Sequence, residues 1–224
     1  MPRRIALLTL AVGLALIFVS SAAVAQYKLT NLVSNQVGRA NHVDPQLVNG
    51  WGLVYAPGSP FWVSDQGSGW STLYNAIGVK QGLEVAVPSA NGKGTGQPTG
   101  IVFNGSQEFK IQGSPAVFLF ATLDGTISGW APSVNPNQAI IVVNNANSGA
   151  TYTGLAITSN ASGNLLFASD LANNKVDVYD ANFTLVNSFT DATVPAGFAP
   201  FNVQDLNGLL YVAFAAQDEG PGGY

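Results

Sequence analysis

Gly154-Leu-Ala-Ile157, Leu165-Leu-Phe-Ala-Ser-Asp170, Lys175-Val-Asp-Val-Tyr179 and Thr184-Leu-Val-Asn-Ser-Phe189 are four short apolar-rich runs in close succession. Residues 158–164, 171–174 and 180–183 separate them, and all three connections are built from Asn, Asp, Ser, Thr, Gly and Ala with few large side chains. Runs of this length bounded by turn residues predict strands. Val176, Val178 and Leu185 alternate with Lys175, Asp177 and Asn187, the period-2 pattern of a half-buried strand. Four antiparallel strands in sequence make one blade of a β-propeller.

Imperfect copies of this unit lie on both sides. Trp51-Gly-Leu-Val-Tyr55, Phe61-Trp-Val-Ser-Asp65, Ser71-Thr-Leu-Tyr74 and residues 79–87 form a first copy. The second runs through Pro98-Thr-Gly-Ile-Val-Phe103, Phe118-Leu-Phe-Ala-Thr122, Thr126-Ile-Ser-Gly-Trp130 and Ala139-Ile-Ile-Val-Val143, with Asp124-Gly125 as a hairpin signal. A fourth begins at Phe201-Asn-Val-Gln204 and continues through Leu209-Leu-Tyr-Val-Ala213. Gly52, Gly100, Gly154 and Phe201 mark the starts, at intervals of 48, 54 and 47 residues. A period of this size signals a propeller or solenoid. The expected fold is therefore all-β, a propeller of four-stranded antiparallel blades with repeats starting near 51, 99, 153 and 200. The fourth repeat has two strand candidates where the others have four, so the chain is expected to be a fragment holding about three and a half blades of an incomplete ring. Trp62, Phe120, Phe167 and Tyr211 are read as one aromatic position that fills the space between blades.

Composition agrees. Charged residues are 9% of the chain, Gly numbers 25 and Pro 12, a balance that favours turns and strands over exposed helices. There is no Cys, which excludes disulfides and thiolate chemistry. Net charge is −4, with no basic patch for nucleic acid. Residues 1–25 read as a signal peptide: Arg3 and Arg4, a 15-residue apolar run over 5–19, then Ala23-Val24-Ala25 ahead of Gln26. Loss of Arg3 and Arg4 on cleavage makes the net charge −6. No later segment is long and apolar enough to span a bilayer, so the expected location is periplasmic or extracellular. Residues 26–50 form a lead-in and 51–224 the partial propeller.

The words Asp44-Pro-Gln-Leu-Val-Asn-Gly-Trp-Gly-Leu53, Pro98-Thr-Gly-Ile-Val-Phe-Asn-Gly105, Phe120-Ala-Thr-Leu-Asp-Gly-Thr-Ile-Ser-Gly-Trp130, Tyr152-Thr-Gly-Leu-Ala-Ile157 and Pro195-Ala-Gly-Phe-Ala-Pro-Phe-Asn-Val-Gln204 resemble a family of exported bacterial propeller proteins, some of which carry a PEP-CTERM sorting tail. The chain is also distantly similar to NHL and gluconolactonase-type propellers. Gly50 departs from the family pattern, where Pro is expected before Trp51-Gly52. The resemblance implies a six-bladed ring, and it supplies no catalytic residues.

Propellers bind ligands at the channel mouth, where loops lead into the innermost strands. The candidates there are Asn49, Gln97, Thr99, Thr153 and Asn202. They offer amide and hydroxyl oxygens but no carboxylate, so no metal site or cofactor is expected. Asp65, Asp124 and Asp170 recur after the second strand, either as a ring of acids or as turn residues, and turn chemistry is the favoured reading. His42 is the sole histidine and reads as a loop residue. No G-x-S-x-G elbow or P-loop is present. The expected function is a non-catalytic exported module that binds a protein, glycan or envelope component. The alternative is a metal-dependent lactonase-like hydrolase with a divalent cation in the channel. Export is expected to leave Gln26 as the N-terminus, which mass spectrometry of the secreted protein checks; intact Met1 on exported material would count against it.

Overall fold

The computed structural model describes residues 27–160 and 163–217. Residues 1–26, on which the expected signal peptide falls, together with 161–162 and 218–224, lie outside them. Internal contacts divide the chain into Met1–Thr30 and Asn31–Tyr224. In the first unit, residues 27–30 are exposed and form no strand. The second unit holds every element below.

In the lead-in, β1 (Val33–Ser34) and β2 (His42–Val43) pair in parallel. The first four-stranded sheet is β3 (Gly50–Tyr55), β4 (Phe61–Asp65), β5 (Trp70–Tyr74) and β6 (Lys80–Ala86). The second opens with β7 (Pro98–Phe103). A small hairpin of β8 (Lys110–Ile111) and β9 (Ser114–Pro115) follows, before β10 (Phe118–Thr122), β11 (Thr126–Trp130) and β12 (Ile140–Asn144) complete that sheet. A 3-10 turn, Ala146–Ser148, leads to the third sheet, β13 (Tyr152–Asn160), β14 (Gly163–Asp170), β15 (Lys175–Tyr179) and β16 (Leu185–Phe189). β17 (Phe198–Leu206) and β18 (Leu209–Ala216) pair as a two-stranded sheet. The strands of each of these sheets run antiparallel in chain order. The chain is an all-β propeller with three four-stranded blades and a half blade among the described residues. No described helix is long and apolar enough to cross a membrane.

Strand alternation decides which blades touch. Phe118 and Phe120 of β10 point back to the first blade and meet Trp62, Val85 and Trp130 in one core. The Trp62 ring stacks on Phe118 with centroids 4.2 Å apart. Leu119 and Ala121, the residues between and after, point forward and join Tyr152, Leu166 and Tyr179 in the next core. Phe167 points forward again, onto Val203 of the half blade. Each fully buried Phe or Leu contributes on the order of 2 kcal/mol from burial, so the blades are held chiefly by these faces. One expectation needs correcting. Phe120 does not share a position with Trp62, Phe167 and Tyr211. Val102 pairs with Leu119, as Val54 pairs with Trp62 and Ala156 with Phe167, so Leu119 holds that position. Phe120 faces the opposite way and fills the same inter-blade space as Trp62 from the other side.

β3, β7, β13 and β17 are the first strands of their sheets, each at a sheet edge, and they lie against one another in series. Gly52, Gly100 and Gly154 make this possible. A Cβ on Gly52 would stand 3.0 Å from Ile101 N, one on Gly100 2.6 Å from Leu155 N, and one on Gly154 2.8 Å from Asn202 Cα. Each is a backbone-on-backbone approach between consecutive repeats. Replacing Gly100 with Val is expected to cost at least 1–3 kcal/mol, the usual range for forcing atoms into a filled space. Gly82→Ala, where nothing lies within 4 Å of the added atom, should be close to neutral. Urea denaturation of the two variants measures the difference, and equal midpoints would show that the inner strands can move apart freely.

Candidate functional site

Because each inner strand is a sheet edge, its unpaired backbone groups face the propeller axis. There β3, β7, β13 and β17 surround a cavity of about 430 Å³. Leu53, Ile101, Leu155 and Val203 occupy one register position, since they pair with Val63, Phe120, Ala168 and Val212. One residue earlier stand Gly52, Gly100, Gly154 and Asn202, and one before those Trp51, Thr99, Thr153 and Phe201. This last row is the least uniform. Trp51 donates from Nε1 to the Thr153 carbonyl at 3.1 Å and sets its ring 5.5 Å from that of Phe201. The first repeat thus reaches the third and fourth across the axis. Trp51 also lines a neighbouring groove with Asn49 and Leu47.

The five sequence-predicted residues fall into two groups. Thr99 and Thr153 are buried, and their hydroxyls donate to the backbone carbonyls of Tyr152 at 2.6 Å and Ser169 at 3.4 Å. Asn49, Gln97 and Asn202 are exposed. Asn49 sits at φ 51, a left-handed conformation that Asn tolerates, at the start of β3. Its Nδ2 donates to Gln66 Oε1 at 2.9 Å, and Gln66 Nε2 donates on to Gln97 Oε1 at 2.6 Å. An amide row therefore joins the first and second blades just ahead of β3 and β7. Asn202 accepts from its neighbour Val203 N at 2.9 Å and lines the cavity with Thr153. Gln66, Trp51 and Phe201 were not among the predicted residues. Aligning the repeats on their glycines shows the signal, two large aromatics in a row otherwise filled by Thr.

The three recurring aspartates do not form a ring. β4 and β14 end on Asp65 and Asp170, but β10 ends on Thr122, and Asp124 belongs to the hairpin turn beyond it. Thr122 and Asp170 perform turn chemistry. Thr122 Oγ1 accepts from Thr126 N at 3.1 Å, and Asp170 accepts from Thr151 N at 3.0 Å and Asn173 Nδ2 at 2.8 Å. Asp65 differs. It is fully buried, and its Oδ1 has no partner among the described residues.

Asp65 ends a chain of polar groups that begins in the lead-in. Lys80 Nζ lies 2.9 Å from Asp44 Oδ2, and Tyr74 OH donates to that same oxygen at 2.6 Å. Thr72 Oγ1 lies 2.9 Å from the Tyr74 hydroxyl and 2.7 Å from Asp65 Oδ2. The Tyr74 hydrogen serves Asp44, and Thr72 has one hydrogen for two neighbours. A proton on Asp65 lets every link be made. Burial pushes the Asp65 carboxyl up against the opposing Thr72 hydrogen bond, the Asp44 charge adds to the rise, and the result is about 7. Burial acts on Asp44 in the same sense, but Tyr74 and Lys80 outweigh it and hold Asp44 below the usual range. A parallel cluster lies in the third blade. Tyr152 OH donates to Asp177 Oδ2 at 2.8 Å and meets the Tyr179 hydroxyl at 2.7 Å, while Lys175 Nζ pairs with Asp177 Oδ1 at 2.7 Å. Burial pushes the Tyr179 hydroxyl up to about 12. Both clusters are buried between or beneath blades and open onto no cavity wall of the channel. Their role is to satisfy polar groups in the core.

No family model matches the chain. An uncharacterised protein of Acanthamoeba polyphaga mimivirus is 28% identical over 208 residues, covering 88% of this chain and 50% of that protein. A second from the same virus is 33% identical over 186 residues, covering 78% of this chain and 34% of its own length. The chain spans about half the length, or less, of these relatives. Among solved structures, a streptogramin B lyase superposes with a TM-score of 0.53 at 14% identity, over 76% of this chain and 50% of that one. A catalytically inactive virginiamycin B lyase from Staphylococcus aureus with quinupristin gives 0.52 at 14%, over 73% and 48%. These likenesses show the propeller fold. The relatives found are viral, whereas the sequence resemblance pointed to exported bacterial proteins; the propeller fold rests on the solved structures.

The Asp65 proton has a consequence for stability. Between pH 4 and 7 the unfolded carboxyl, with its ordinary value of 3.8, is ionised while the folded one holds its proton. Folding then takes up a proton, so Asp65 loses stability for the fold as pH rises, by at most about 1.4 kcal/mol per pH unit, and the loss levels off above 7. Asp44 acts in the opposite sense, its contribution fading as pH falls below its ordinary 3.8. The urea midpoint should fall from pH 4.5 to 7.5 in the parent chain and be flatter in Asp65→Asn. An identical slope in the two proteins would mean that Asp65 is ionised in the fold.

Proposed function

We propose that this chain belongs to an exported binding protein that recognises its partner at the Asn49–Gln97 end of the channel and carries out no chemistry there. One observation carries the reading: the side chains at the mouth hold one another. Trp51 is spent on the Thr153 carbonyl and the Phe201 ring, and Asn49, Gln66 and Gln97 on each other. Groups fixed in this way, uncharged and pre-ordered, suit recognition at low entropic cost. A hydrolase needs a nucleophile or an activated water poised beside a base.

The metal-dependent hydrolase reading draws on one residue. Asp205 lines the cavity with Gln204 and Asn202, and hydrogen bonds from Thr158 and Gly208 hold its carboxyl below the ordinary value. An ionised carboxylate with nearby amide oxygens is a start toward a hard-cation site. Two measurements on the full chain separate the readings. Elemental analysis after dialysis against calcium and zinc should give less than one metal per chain, and co-sedimentation with isolated envelope fractions should weaken in Gln97→Ala. Stoichiometric metal that disappears in Asp205→Asn would favour the hydrolase.

A further inference from the structure

The mouth has a more specific chemistry than a generic docking face. Trp51 and Phe201 are half-buried rings, 5.5 Å apart and tilted by 31°, so together they form a shallow aromatic floor across the axis. Asn49 stands two residues before Trp51 and lines a groove with it, which sets the Asn49 end of the amide row beside the floor. The row is only half used. Asn49 donates and Gln97 accepts, and among the described residues no partner takes Asn49 Oδ1 or Gln97 Nε2. Acceptor and donor therefore remain at opposite ends of a row already fixed in position. Asp124 adds an acceptor close by, since a Cβ on Gly96 would stand 2.9 Å from its Oδ2.

We propose that this face binds a neutral sugar residue of a glycan, with the pyranose C–H face on the Trp51–Phe201 floor and its hydroxyls on Asn49, Gln97 and Asp124. This rests on the binding reading above and names its ligand class. An aromatic ring offers an apolar surface to the C–H face of a sugar, and amides offer the mixed donors and acceptors that hydroxyls require. Each sugar hydroxyl is both donor and acceptor, so it can answer the free Oδ1 and the free Nε2 alike. The Asp124 carboxylate and the net charge of −4 disfavour an acidic sugar.

Calorimetry and tryptophan fluorescence of the full chain with cellohexaose, laminarihexaose and chitohexaose, and with an oligogalacturonate as the acidic comparison, test this. At least one neutral oligosaccharide should bind saturably with Kd below about 10 mM. Gln97→Ala, an exposed position, should weaken binding about tenfold, the loss of one well-made hydrogen bond to a ligand. Gln81→Ala on β6, away from the mouth, should not. Trp51→Phe, which keeps a ring and is checked for folding by circular dichroism, should also weaken it. The proposal is overturned if no neutral oligosaccharide binds, if only the acidic one does, or if Gln97→Ala leaves the affinity unchanged. Envelope co-sedimentation that still depends on Gln97 while all the sugars fail would sink the glycan inference alone and leave the binding reading standing.

Discussion

The close approach of consecutive inner strands governs the rest of this molecule. Gly52, Gly100 and Gly154 place backbone against backbone where any side chain would meet atoms within 3.0 Å. That approach sets the narrow axis of the propeller, and with it the tilt at which neighbouring blades meet. Because the sheets fan out from these contacts, the forward face of one blade and the backward face of the next are separated by increasing distance, and larger residues fill the wedge. Trp62, Phe118 and Trp130 do so between the first two blades. Asn202 stands at the corresponding position of the fourth repeat, where no further described inner strand packs on it, and there a side chain is accommodated.

Closing the inner strands to this distance also concentrates their edges. A sheet edge carries unsatisfied N–H and C=O groups, and four such edges surround one cavity. Part of that demand is met by side chains from other repeats: Trp51 Nε1 on the Thr153 carbonyl, and the Thr99 hydroxyl on the Tyr152 carbonyl. The residues that shape the mouth are thus the ones that satisfy its backbone. The Asn49–Gln66–Gln97 row is ordered separately, by amide bonds between its own side chains.

The buried polar chains follow a different logic. Asp44, Tyr74, Thr72 and Asp65 tie the lead-in to the first blade, and Tyr152, Tyr179, Asp177 and Lys175 do the same work within the third. A buried carboxyl is costly unless charge is neutralised or partners are supplied. The two clusters use the two solutions. Asp177 pairs with Lys175, and Asp65, with Lys80 already engaged by Asp44, has its carboxyl pushed up toward the neutral form by burial.

Local pattern was enough for the strands, the turns and the repeat, because alternation and turn chemistry are properties of neighbouring residues. It located the three glycines and the strands they belong to, and it singled out Asn49, Gln97, Thr99, Thr153 and Asn202 as candidates, of which Thr153 and Asn202 line the cavity. What it left undecided were relations between positions far apart in the chain. The one-residue shift that puts Leu119 rather than Phe120 opposite the Trp62 position depends on pairing with β7, and β-strand side chains change face with every step. Burial of the Thr99 hydroxyl on the Tyr152 carbonyl of the next repeat, and of the Thr153 hydroxyl on Ser169 of its own blade, depends on how the strands pack. Only the folded ring brings Trp51 within 5.5 Å of Phe201, since the contact spans three repeats and exists because the inner strands converge on one axis.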